Sequence, residues 1–89
     1  MTARAEIVAR ILDRVQIVTG AAPGEVATDK PLAGQQLAAG TVDSLDMMEI
    51  EMDVEDEFDI RAAALDLRAD CSVEDIADAV IAATNKGIS

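Results

Sequence analysis

Between Asp43 and Ile60 the chain carries nine acidic side chains and no Lys or Arg, half of its acids in one fifth of its length. Ile50, Val54 and Phe58 recur in the same stretch at intervals of four, with Met47 three residues earlier. Side chains at this spacing share one face of a helix. The segment therefore predicts a helix over 44–59, its narrow apolar stripe turned to a core and its carboxylates to solvent. Like charges at helical neighbour spacing, such as Glu51 and Glu55, cost a few tenths of a kcal/mol per pair. No base within the segment relieves them, and a surface shaped for stability alone would intersperse lysines. An external binder is expected to use this face.

The remaining chain is read around that helix. Its 89 residues suit one domain, 1–89, and hold one Phe and no Trp or Tyr, too few aromatics for most sheet cores. Ile7, Ile11, Leu12, Val15 and Val18 predict a first helix over 3–18, capped by Thr2 and ended at Gly20. Residues 20–43, with five of the chain's Gly and Pro residues beyond Gly20 itself, predict a long loop anchored by Val26, Leu32 and Leu37, with a short helical turn near 33–38. Leu65 and Leu67 are core candidates in a short third helix near 63–68. Val73, Ile76, Ala77 and Val80 predict a last helix over 73–83, with Ser72 as N-cap, Asp75 completing a capping box, and a finish at Asn85-Lys86-Gly87. The sum is an all-α class, a small four-helix bundle with a short third helix and a long first loop.

Charge and missing side chains remove several functions. A formal charge of −11 gives no footprint for nucleic acid and opposes anionic membranes. It favours solubility and steering toward basic partners. Lone Cys71 makes no internal disulfide and no metal-ligand spacing, so no metal site is expected. No apolar run is long enough to span a bilayer, and the first 14 residues have no uninterrupted apolar h-region, so a monomer in the reducing cytoplasm is expected. Without His there is no Ser–His–Asp or Cys–His arrangement, and neither Lys30 nor Lys86 sits in a recognisable motif. The chain is expected not to be an enzyme.

Ser44 has two readings. One is an N-cap, common for Ser or Asp at a helix start. The other is an exposed hydroxyl open to covalent modification, where a phosphate meets unpaired N–H groups and the positive end of the helix dipole.

The stretch VDSLDMMEIEMDVEDEFDI, residues 42–60, resembles the core signature of the acyl carrier protein family. Asp43-Ser44-Leu45 is the central triplet, with Asp46, Glu49 and the acids before Phe58-Asp59-Ile60 matching around it. The triplet alone is weak; joined to that ending it is strong. The resemblance implies a four-helix bundle with a long first loop. It implies that Ser44 carries a covalent 4′-phosphopantetheine arm, with Asp43 and Leu45 as its motif neighbours. The function implied is carriage of acyl intermediates as thioesters, in fatty-acid or specialised lipid biosynthesis. A stand-alone aminoacyl, peptidyl or polyketide carrier is the alternative, and a non-covalent acidic adaptor a more distant one.

Implied partners are a phosphopantetheinyl transferase and basic-faced acyl-loading, synthase or acyltransferase enzymes. Asp46, Glu49, Asp53, Glu55 and Asp56 are the expected charged docking contacts, and Leu45, Met48 and Met52 the apolar ones. Methionine suits an adaptable surface. A thioester would meet no activated base on this chain, and Cys71 is expected to be a small buried hydrophobe. The chain departs from the family pattern in the lengthened approach Leu37–Val42, in Glu51 at a position often apolar, and in residues 61–70. These put the housekeeping fatty-acid subgroup, and the shelter for a long acyl chain, in doubt.

Overall fold

The computed structural model describes residues 4–60 and 70–88. Helix α1 spans Arg4–Thr19, α2 spans Ser44–Glu57 and α3 spans Val73–Ile88. Between α1 and α2 lies an antiparallel hairpin of β1, Gln36–Leu37, and β2, Gly40–Thr41, with Gln36 opposite Thr41 and Leu37 opposite Gly40.

This corrects the four-helix bundle expected from the sequence. Among the described residues the fold is three helices and a short hairpin; the helix expected at 63–68 lies outside them. The helical turn expected near 33–38 is also replaced, and the reason lies in the backbone. Gly34 and Gly40 adopt φ of +91° and +138°, which side chains disfavour and which a helix cannot contain. The Gly34 N–H donates to the Val42 carbonyl at 2.8 Å and the Val42 N–H to the Gln35 carbonyl at 3.0 Å, so the chain pairs with itself across a tight reversal. The hydrophobic spacing used to find helices has no purchase on two-residue strands.

The helical faces meet as the periodicity requires. Ile7, Ile11 and Val15 of α1, Met47, Ile50 and Val54 of α2, and Val73, Ile76, Ala77 and Val80 of α3 are buried in one core. Val26, Leu32 and Val42 enter it from the long connection, while Leu37 and Phe58 pack half-buried at its edge. Helix α1 packs against both α2 and α3. It ends one residue beyond the predicted position, where the Gly20 N–H closes on the Gln16 carbonyl at 2.8 Å. Helix α3 begins on its predicted capping box: the Asp75 N–H donates to Ser72 Oγ at 3.1 Å, and the Ser72 N–H to Asp75 Oδ2 at 3.0 Å. It then runs past the predicted finish to Ile88.

Two side chains organise the long connection. Gln35 Nε2 donates to the carbonyls of Ala27 at 2.9 Å, Pro31 at 3.1 Å and Lys30 at 3.3 Å, and its Oε1 accepts the Ala27 N–H at 3.0 Å. Glu25 accepts the Ala22 N–H at 3.0 Å and the Ala38 N–H at 2.6 Å. Those two amide bonds hold its carboxyl below the ordinary carboxylate range. The loop is thus fixed along its length, and Val42 arrives in the core immediately before Asp43 and Ser44.

Candidate functional site

Buried Val42 and Met47 bracket the start of α2, and the residues between them face outward to differing degrees. Asp43 has extended backbone angles and is the N-cap. Its Oδ1 accepts the Asp46 N–H at 2.9 Å, and its own N–H donates to Asp46 Oδ2 at 3.1 Å. This reciprocal box satisfies two amides at the helix start. It also settles which residue caps α2. Ser44 is the first helical residue and is exposed, and its hydroxyl takes no part in the cap. That hydroxyl sits at the positive end of the helix, where a phosphate oxygen is favoured.

Leu45, Met48 and Met52 are 66%, 61% and 66% exposed. Their spacing of three and four places them in one stripe. Glu49 and Asp56 are exposed beside it, and Asp46 and Asp53 are half-buried. Glu55 departs from the docking face expected of it. It is only 6% exposed, and its Oε2 has no hydrogen-bond partner among the described residues. Its burial places Glu55 at the inner margin of the helix beside Val54, and its carbonyl accepts the Ile60 N–H at 2.8 Å where the chain reverses.

The far end of α2 holds contacts that the sequence reading missed. Glu57 Oε2 accepts from Arg10 Nη2 at 2.7 Å and Nε at 3.0 Å, and Glu57 Oε1 pairs with Arg14 Nη2 at 2.9 Å. The Arg10 guanidinium also lies 4.4 Å from the centre of the Phe58 ring. Chiefly the Arg10 hydrogen bonds, with Arg14 adding to them, hold the Glu57 carboxyl below the usual range. The i, i+4 spacing of Arg10 and Arg14 was the available signal, since it puts both guanidiniums on one face of α1. Beyond Glu57 the helix closes in a Schellman turn: Ile60 N–H to Glu55 carbonyl, Asp59 N–H to Asp56 carbonyl, with Asp59 at φ +54°.

Cys71 is buried, and its backbone carbonyl accepts the Leu32 N–H at 3.0 Å. Burial first, then the nearby charge of Asp75, pushes its thiol upward, away from the reactive thiolate. Among the described residues no group of three His, Cys, Asp or Glu is placed to hold a metal ion, and no helix is long and apolar enough to cross a membrane. No family model, curated protein or solved structure matches the chain.

Proposed function

We propose that this protein is a carrier of acyl intermediates, held as thioesters on a 4′-phosphopantetheine arm attached to Ser44, and working among cytoplasmic enzymes of fatty-acid or specialised lipid synthesis. One observation carries the reading. The serine of the Asp43-Ser44-Leu45 triplet stands exposed at the first position of α2, while Asp43 and Asp46 do the capping that would otherwise occupy a hydroxyl there.

The chain's own residues fit such a group. The Ser44 oxygen is the attachment point, and the amides of the first helical turn offer a positive environment to the phosphodiester. Attachment would join that oxygen to the incoming phosphorus, expel the nucleotide half of coenzyme A and pass the hydroxyl proton to a base. When bound, the arm supplies a terminal thiol on which acyl groups are carried. The rest falls to the protein: Ser44 fixes the arm, and Leu45, Met48 and Met52 offer an apolar strip to visiting enzymes. Glu49 and Asp56 beside the strip, with Asp46 and Asp53, favour partners with a basic rim. Charges of this kind speed encounter and set orientation more than they tighten the complex.

Intact mass after incubation with coenzyme A and a phosphopantetheinyl transferase tests the reading. The protein is expected to gain about 340 Da, the mass of one such group, and S44A to gain nothing. An unchanged wild-type mass beside a positive control for the transferase overturns the carrier and leaves a non-covalent acidic adaptor.

A further inference from the structure

Met47, Met48 and Met52 lie within six residues of α2, and the fold treats them differently. Met47 is 8% exposed and sits in the core, whereas Met48 and Met52 are more than half exposed, four residues apart in the stripe that Leu45 begins. Oxidation of a thioether follows its access to solvent, and it converts an apolar, adaptable side chain into a polar one. Of the side chains exposed alongside, Glu49 and Asp56 accept hydrogen bonds as carboxylates but donate none, and the one hydroxyl, Ser44, is the oxygen that the carrier reading gives to the arm. A sulfoxide oxygen, itself an acceptor, gains no partner from them and stays turned to solvent.

We propose that Met48 and Met52 are a reversible oxidation site that turns the docking strip of α2 off, an inference that rests on the carrier reading. The sulfur lone pair attacks one oxygen of a peroxide and the O–O bond breaks. The sulfur loses two electrons to become a sulfoxide, and the peroxide is reduced to water. A methionine sulfoxide reductase returns the thioether at the expense of a thiol pair. The acidic rim is untouched, so charge-guided encounter persists while the apolar contact that holds a partner is lost. The signature is therefore a raised KM for the carrier more than a slowed approach.

The experiment treats the full-length protein with limiting hydrogen peroxide, locates each added oxygen by peptide mass, and follows Ser44 modification by a phosphopantetheinyl transferase and coenzyme A. Oxygen is expected on Met48 and Met52 before Met47, with a rise of roughly tenfold in KM for the carrier, reversed by the reductase. The M48L/M52L variant, compared with its own untreated sample, is expected to show no peroxide effect. Circular dichroism of the oxidised protein checks that the helices persist. Oxidation of Met47 at the same rate, or an unchanged KM in protein oxidised at both exposed positions, overturns the switch while leaving the carrier standing. Failure of untreated protein to be modified at all overturns the carrier, and the switch with it.

Discussion

Asp46 gives its backbone N–H to Asp43 Oδ1 at 2.9 Å, and Asp43 returns the bond through its own N–H to Asp46 Oδ2 at 3.1 Å. The exchange makes Asp43 a structural residue and frees its neighbour. D43A is expected to cost about 1 kcal/mol of folding stability, the usual worth of an N-cap. S44A is expected to change stability by less than about 0.5 kcal/mol, as for an exposed side chain outside any cap. Urea unfolding of the two variants checks both values. A larger loss in S44A than in D43A would return the capping role to Ser44.

Glu57 gives the fold a dependence on acidity. Its pKa is depressed when folded, so its contribution is present above the ordinary carboxylate value of 4.5 and is lost as the pH falls through the lower folded value. The wild type is expected to melt above E57Q at pH 7, and the gap to close as the pH falls below that ordinary value. Melting curves of both proteins across the range measure the gap. A constant difference would mean that the ion pairs with Arg10 and Arg14 add nothing.

Gln35 stitches the long connection through four hydrogen bonds to the backbone. In Q35A the Ala27 N–H loses its acceptor, and about 1–3 kcal/mol of stability should go with the network. Hydrogen exchange at the Ala27 amide is expected to accelerate more than exchange at Ile50, which lies in the core of α2. Equal acceleration at both sites would point to global destabilisation instead.

The three long helices were legible because each repeats apolar residues over several turns: Ile7–Ile11–Val15, Ile50–Val54 and Val73–Ile76–Ala77–Val80 all reached the core. The Ser72–Asp75 box was readable because a capping box lies within four residues of sequence. The hairpin was not, because two-residue strands carry no period and their register rests on backbone bonds from Gly34 and Gln35 to Val42. At the site, the exposure of Leu45, Met48 and Met52 followed from their angle to the Ile50–Val54 stripe. Burial of Glu55 did not, since it lies off that stripe and a carboxylate is ordinarily left to solvent. The spacing of Arg10 and Arg14 puts them on one face, but their grip on Glu57 joins residues more than forty positions apart, and no local pattern names that partner.

Asp46, Glu49, Asp53 and Asp56 follow one another along α2 at helical neighbour spacing, where like charges repel, so ionic strength should stabilise the fold. The melting temperature is expected to rise by roughly 5 °C between about 10 and about 300 mM sodium chloride. Differential scanning calorimetry at fixed pH reads this directly. A flat response would show that the carboxylates do not strain the helix.

Because two arginines clasp α2 at its last turn, while its first turn closes on its own two aspartates, the helix is moored to α1 at the stern and, among the described residues, carries no ion pair at the bow. On the proposed reading, an enzyme that closes over Ser44 meets no ion pair there among the described residues. The proposed handling of the serine and the clasp between α1 and α2 thereby fall at opposite ends of the same fourteen-residue rod.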